Sequence, residues 1–175
     1  CVTEKRKEKR FIQPTSMYSN LILNGLKKRK LPIEELKSAI ENFSPSYPIE
    51  NLFVYGTLMR GEQRHSTLEE CCVGEGRSAT AHGKILDLGN YPGMIAGVDG
   101  VIQGEVYHID QVYPALQTLD SIEGFYGYDS DHSLFIRTIV QIRTENGSEW
   151  AWTYVYNQEE GVESQAIESG DWRNR

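Results

Sequence analysis

Among the residues of this sequence, Glu123 is the one best placed to do chemistry, because it lies on the apolar side of a predicted helix. At about 100° per residue, Leu116, Leu119 and Glu123 fall within about 60° of one another, and Gly124 would end the helix. Burial and the negative end of the helix dipole would both raise the pKa of this carboxylate, which suits it to proton transfer near neutral pH. The pattern leaves two alternatives open: a solvated Glu123 at a frayed helix end, or a Glu123 paired with Arg137.

A second candidate is the stretch Tyr55–Leu58, which follows a continuous apolar run of the kind that a buried strand requires. A strand that ends in a glycine, here Gly56, lets the next backbone N–H groups point at a ligand carboxylate or an oxyanion. Taken alone, the same residues could form an ordinary turn between a strand and a loop.

The remaining ionisable side chains do not suggest a metal or cofactor site. Two of the three cysteines are adjacent, Cys71 and Cys72, and offer neither a disulfide framework nor the spacing of metal ligands. The four histidines also lack that spacing, and the strongest candidate among them is His108, which precedes Asp110 on a predicted strand: His65, His82, His108 and His132. This spacing therefore gives no reason to expect a metal site.

The charge of the chain is divided unevenly along its 175 residues, for a net charge of -7. Residues 1–47 hold ten Lys and Arg against five Asp and Glu, whereas residues 48–175 hold eight against twenty. The acidic part would repel a nucleic acid, and no apolar run is long enough to span a membrane.

The few cysteines favour a reducing cytoplasm, and the first residue, Cys1 rather than Met, suggests a fragment or a processed chain.

The pattern of strands and turns predicts one α+β domain over residues 48–160. It is preceded by a basic extension, residues 1–47, with a short helix at 31–43, and followed by an acidic, loose tail at 161–175. Within the domain we expect strands at 52–55, 77–88, 103–109, 134–143 and 149–156, and helices at 64–72 and 110–123, the second capped by Asp110. The result is a small, mostly antiparallel β-barrel or sheet with one or two packed helices.

Five segments of this domain, in order and at similar spacing, resemble the gamma-glutamylcyclotransferase-like superfamily, and the gamma-glutamylamine cyclotransferase branch most of all. They include the opening strand and loop, a Tyr-Pro turn, a Gly-Glu-Val-Tyr strand, the Leu-Asp-x-x-Glu motif and a closing aromatic strand. In this sequence they are Leu52–Gly61 (LFVYGTLMRG), Asn90–Met94 (NYPGM), Gln103–Tyr107 (QGEVY), Leu119–Gly124 (LDSIEG) and Ala151–Tyr156 (AWTYVY). Where the family often has Tyr-x-Arg after the catalytic helix, this chain has Phe135-Ile136-Arg137.

The resemblance implies an enzyme that releases 5-oxoproline and a free amine from a gamma-glutamyl compound, with Glu123 as the acid and base. It implies no metal and no organic cofactor. The implied substrate-binding residues are Tyr55, Gly56, Thr57, Leu58, Tyr91, Phe135, Arg137 and Tyr128. It leaves the substrate open between a gamma-glutamyl amino acid, glutathione and a gamma-glutamylamine.

Two other classes of function remain open at this point. The domain could hold a small ligand without turnover, or the chain could work as an interaction protein through residues 1–47, which would bind an upstream domain or a partner. A carboxylate on an apolar face speaks against the first, since a domain without activity has no need of that charge.

Overall fold

The computed structural model describes residues 49–127, 130–157 and 165–175. The helix expected at 31–43, and the basic extension around it, lie outside the described residues. The described elements are β1 (Asn51–Val54), α1 (Ser66–Cys71), β2 (Val73–Asp87), β3 (Pro92–His108), α2 (Val112–Glu123), β4 (Phe135–Thr144), β5 (Gly147–Tyr156), β6 (Gln165–Ala166) and a short 3-10 helix (Trp172–Asn174).

The strands form one sheet in the order β3-β1-β5-β4-β2-β6, and a further pairing between β2 and β3 closes five of them into a barrel. All pairings are antiparallel except β1 with β5, which run parallel with Leu52 opposite Trp152. The β2–β3 hairpin is longer than the two strands expected from the sequence, and its register shifts between His82 and Gly83. Such an irregularity bends the strand and increases its twist. In addition to β3, β2 pairs with β4 at Thr80–Ala81 and with β6 at Leu86–Asp87. The expected fold class, α+β with a mostly antiparallel barrel and packed helices, is confirmed.

The apolar run in β1 packs at the centre of the core, as its composition predicts. Leu52, Phe53 and Val54 are almost completely buried. Side chains of β5 fix β1 from the other side: Trp152 donates from Nε1 to the carbonyl of Ile49 at 2.9 Å, and the Thr153 hydroxyl donates to the carbonyl of Phe53 at 3.0 Å. These bonds hold the chain just before β1 and within it, and so fix the strand from which the following loop leaves.

Helix α2 runs from Val112 to Glu123 and buries Ala115, Leu116 and Leu119. It ends where the sequence predicts, because Gly124 adopts the left-handed conformation (φ 64°) that a glycine tolerates best. The start differs from expectation. The N-cap is Gln111, without a side-chain capping bond, so Asp110 does not cap this helix.

The hairpin of β4 and β5 also matches expectation, with Thr144 paired to Gly147 across a tight turn.

None of the helices in the described ranges is long and apolar enough to cross a membrane.

The expectation of a loose acidic tail is wrong for residues 165–175. β6 pairs with the end of β2, and the Trp172 side chain is 2% exposed. Arg173 donates at 2.8 Å to Oε1 of Glu105 and at 2.7 Å to the carbonyl of Arg60, while the amide of Arg60 donates to Oε2 of Glu105. The buried Trp172 side chain and the bonds among Arg173, Glu105 and Arg60, which we call the clamp, keep the segment packed despite its polar composition. The clamp also holds the loop after β1.

We expect Arg173→Met to lower the free energy of unfolding by about 1 kcal/mol, because the Arg173–Glu105 pair is partly exposed and such pairs contribute little more. The loop should also lose one of its two main-chain bonds at Arg60, so the affinity for any ligand bound by that loop should fall. Urea unfolding followed by tryptophan fluorescence measures the first effect.

Arg60→Met provides the control for that experiment. Its guanidinium lies 3.7 Å from Glu75 in a pair that is far more exposed, whereas Arg173 and Glu105 bond the main chain of Arg60. A stability loss as large for Arg60→Met as for Arg173→Met would show that the clamp contributes nothing specific.

Candidate active site

A cavity of about 240 Å³ opens between the loop after β1, the start of β3 and the C-terminal end of α2. Most of its lining residues are apolar or aromatic, with polar side chains among them, which is typical of a small-molecule site. The lining residues are Phe53, Val54, Tyr55, Gly56, Thr57, Leu58, Arg64, Tyr91, Pro92, Ser121, Ile122, Glu123, Gly124, Tyr126, Leu134, Phe135, Thr153 and Tyr154.

Glu123 lines this cavity from the last residue of α2. Its removal from bulk water raises the pKa of the carboxyl to about 7, and the positive charge of Arg64 opposes that rise. The negative end of the helix dipole acts in the same direction as burial. At neutral pH the carboxyl is thus divided between its two protonation states, as a group that both accepts and donates a proton should be.

The raised pKa of Glu123 also makes a prediction about stability. The folded protein holds this proton up to about pH 7, whereas an ordinary glutamate (pKa 4.5) releases it, so stability should fall as the pH rises between these two values. Glu123→Gln removes this loss, and should be more stable than the wild type at pH 8 by roughly 2–3 kcal/mol, with the difference absent at pH 4. Thermal unfolding across this pH range measures it.

Glu145→Gln, at the exposed turn between β4 and β5, is the matched control. If the difference between Glu123→Gln and the wild type did not change with pH, Glu123 would not carry the raised pKa.

The loop opposite Glu123 is held by a buried tyrosine and a close glycine contact. The Tyr55 hydroxyl donates to the carbonyl of Tyr154 at 2.7 Å and accepts from the amide of Met94 at 3.2 Å, which ties β1, β3 and β5 together at the cavity. A Cβ on Gly56 would overlap Cγ of Pro92 and lie 2.8 Å from its Cδ. Only a glycine therefore lets the loop approach the start of β3 this closely.

Among the described residues, the same loop leaves two backbone donors without a protein partner in residues that line the cavity. The carbonyl of Gly56 accepts from Met59, and the carbonyl of Thr57 accepts from Arg64. Within the described ranges, no protein acceptor takes the amides of Thr57 or Leu58. Two such amides in a buried loop form a small positive concavity that suits an anion.

Behind the cavity, Asp120 joins Tyr154 and Arg137. Tyr154 donates from its hydroxyl to Asp120 Oδ1 at 2.7 Å, and Arg137 donates to Oδ2 at 2.7 Å. The Arg137 guanidinium lies over the rings of Phe125 and Trp152, at 5.3 and 5.6 Å. Arg137 thus pairs with Asp120, so the alternative in which Glu123 pairs with Arg137 is not the arrangement that the structure adopts.

The predicted site residues divide into three groups by position. Glu123 and six of the predicted substrate-binding residues line the cavity, whereas Arg137 is not among its lining residues and Tyr128 lies outside the described residues. The six are Tyr55, Gly56, Thr57, Leu58, Tyr91 and Phe135. Their roles in binding stay predictions.

Sequence reasoning missed Arg64 and Tyr154 as cavity residues, and it gave no role to Asp120. A signal existed for Tyr154, because it shares the alternation of Trp150 and Trp152 along β5. Asp120 belongs to a second, partly buried flank of α2, where its side chain is 20% exposed. Nothing in the local sequence of Arg64 indicates the cavity.

No group of three or more His, Cys, Asp or Glu side chains could hold a metal ion within the part of the chain that the structure describes. Burial raises the pKa of the Cys72 thiol to about 12 and also raises that of Cys71. Neither thiol is suited to act as a nucleophile or ligand at neutral pH. His108 is exposed on β3, away from the cavity.

The fold and the cavity agree with comparisons to known proteins. The family described as gamma-glutamyl cyclotransferase, AIG2-like, matches residues 52–174. The chain therefore belongs to this family.

Individual relatives support the same assignment. The chain is 34% identical over 124 residues to gamma-L-glutamyl-butirosin B gamma-glutamyl cyclotransferase from Niallia circulans, covering 70% of this chain and 75% of that one. It is 30% identical over 105 residues to gamma-glutamylaminecyclotransferase from Rattus norvegicus, covering 53% and 63%. The crystal structure of YkqA from Bacillus subtilis superimposes with a TM-score of 0.53 at 28% identity, over 71% of this chain but only 39% of YkqA.

Proposed function

We propose that this protein cyclises the gamma-glutamyl group of a small substrate to 5-oxoproline and releases an amine, with Glu123 as the single acid and base. The observation that carries the proposal is the placement of Glu123, whose pKa is raised to about 7, in a cavity opposite unpaired backbone amides. The activities named for the relatives from Niallia circulans and Rattus norvegicus support it.

The reaction is intramolecular. Glu123 takes a proton from the substrate's α-ammonium group, and the free amine attacks the γ-carbonyl carbon. A carbon–nitrogen bond forms to close the five-membered lactam, and the bond to the leaving nitrogen breaks. Two protons leave the attacking nitrogen and end on the departing amine, and Glu123 carries them. No covalent intermediate with the enzyme is required, so the mechanism assigns no role as a nucleophile to Ser121, whose hydroxyl donates to the carbonyl of Gln117.

The loop after β1 is suited to hold the charged part of the substrate. The amides of Thr57 and Leu58 can donate to the α-carboxylate or to the oxygen that becomes negative as the amine attacks. Tyr91 and Phe135, whose rings contact edge to face with centroids 6.0 Å apart, form an apolar wall for the methylene groups. Holding both ends of the glutamyl group favours the bent conformation needed for ring closure.

The test is to incubate the protein with γ-glutamylalanine, glutathione and γ-glutamyl-ε-lysine and to measure 5-oxoproline and the released amine. Equal amounts of the two products are expected from at least one substrate. α-Glutamylalanine is the matched control, because its side-chain carboxylate carries no amide to be displaced. If a folded protein binds these compounds but releases no 5-oxoproline, the non-catalytic binding module becomes the better description.

A further inference from the structure

Arg64 is an unusual feature of the cavity, because it carries charge into a wall that is otherwise almost neutral. Among the lining residues that the structure describes, only Arg64 and Glu123 have acidic or strongly basic side chains. The main chain of Arg64 is fixed by a 2.9 Å bond from its amide to the carbonyl of Thr57. Its side chain is exposed, and no ion pair or side-chain hydrogen bond holds it within the described ranges of the chain.

The two other arginines that contact this loop are already paired. Arg60 lies beside Glu75, and Arg173 bonds Glu105. Arg64 does not hydrogen-bond Glu123 either, although its charge lowers the pKa of that carboxyl. A cation in this position is available to an anionic group on a ligand, and a guanidinium matches the two oxygens of a carboxylate well.

A gamma-glutamyl substrate offers such a group in one of two places. The amides of Thr57 and Leu58, which have no protein acceptor among the described residues, can serve as donors to the α-carboxylate of the glutamyl part, and this leaves a carboxylate of the leaving group for Arg64. We propose that Arg64 binds the carboxylate of the leaving group, and therefore that the preferred substrates are γ-glutamyl α-amino acids rather than γ-glutamylamines. This inference rests on the proposed function and names the substrate class of that same cavity.

Substrate pairs that differ only in this charge provide the test. γ-Glutamylalanine carries the carboxylate, and γ-glutamylalaninamide replaces it with a neutral amide of nearly the same shape. We expect the wild type to prefer γ-glutamylalanine by about tenfold in kcat/KM, which corresponds to one charge-assisted hydrogen bond in a partly exposed position. Arg64→Gln should remove this preference through KM, and Arg64→Lys should restore part of it.

Arg143→Gln is the matched control, because Arg143 is exposed on β4, outside the lining of this cavity, and its loss changes the net charge equally. It should leave the tenfold preference intact. An equal loss with both substrates in Arg64→Gln would overturn the proposal, since Arg64 would then act on the shared glutamyl part or on Glu123. A wild type without a preference for γ-glutamylalanine would also overturn it.

Direct binding separates this inference from the proposed function. In the Glu123→Gln background, calorimetry should show tighter binding of γ-glutamylalanine than of γ-glutamylalaninamide, and the added Arg64→Gln change should abolish the difference. If no 5-oxoproline forms but the binding difference persists, the catalytic proposal fails and the role of Arg64 stands. If turnover is observed and the binding difference is absent, the role of Arg64 fails alone.

Discussion

Glu123→Gln is expected to lower kcat for 5-oxoproline release by about 10²–10⁴-fold, the usual contribution of a general acid or base. The amide has nearly the shape of the carboxyl but neither accepts nor releases the proton that must move between the two nitrogens. The variant should fold, because it removes a charge from a site whose burial disfavours charge. Substrate binding should persist, since the loop after β1 and the aromatic wall are untouched.

Two further variants determine whether this loss reports on proton transfer. Glu123→Asp keeps the carboxyl but withdraws it by one methylene, so an intermediate loss is expected. Glu145→Gln makes the same chemical change at the exposed turn after β4 and should leave kcat unchanged. Steady-state assays of both products measure these effects. Near wild-type turnover in Glu123→Gln would rule out this residue as the acid and base.

Local periodicity was enough to predict the position of Glu123. The side of α2 that carries Leu116 and Leu119 also carries Glu123, and Gly124 ends the helix at the cavity. The glycine after β1 was predictable for a similar reason, because a buried run followed by a glycine describes a strand and its turn without reference to the rest of the chain. Signals that depend on neighbouring residues therefore identified both halves of the candidate site.

Features that depend on distant contacts were not predictable in this way. Asp120 meets Tyr154, which is 34 residues away in the sequence, and only that partner and Arg137 explain a half-buried aspartate beside the apolar stripe. Trp172 lies in an acidic segment whose composition indicates a loose tail, yet one buried indole and the bonds of Arg173 keep it in place. Composition averages over a segment, whereas packing depends on individual side chains.

Arg64 is another case of this kind. The loop after β1 turns back, so that the amide of Arg64 donates to the carbonyl of Thr57. This turn brings Arg64 to the cavity that Glu123 also lines. Nothing in the sequence around Arg64 distinguishes it from an ordinary solvated arginine.

The close contact of Gly56 with Pro92 leads to the second large expected effect. In Gly56→Ala the new Cβ would overlap Cγ of Pro92, and a proline ring cannot rotate away as a flexible side chain can. The loop must therefore shift, and with it the amides of Thr57 and Leu58. A displacement of about 1 Å at a positioning group can cost about 10²-fold in rate, so we expect a loss of that size in kcat/KM. Overpacking should also lower the free energy of unfolding by about 1–3 kcal/mol.

Removal of the obstructing ring should rescue the defect. Pro92→Ala alone should weaken packing at the start of β3 modestly, because Pro92 is buried and lines the cavity. In the double variant Gly56→Ala/Pro92→Ala the new methyl group takes the space of the lost ring, so kcat/KM and stability should both recover beyond the sum of the single changes. Kinetics and urea unfolding of all four proteins measure this coupling. A Gly56→Ala variant as active as the wild type, or a double variant no better than Gly56→Ala, would show that this contact does not position the loop.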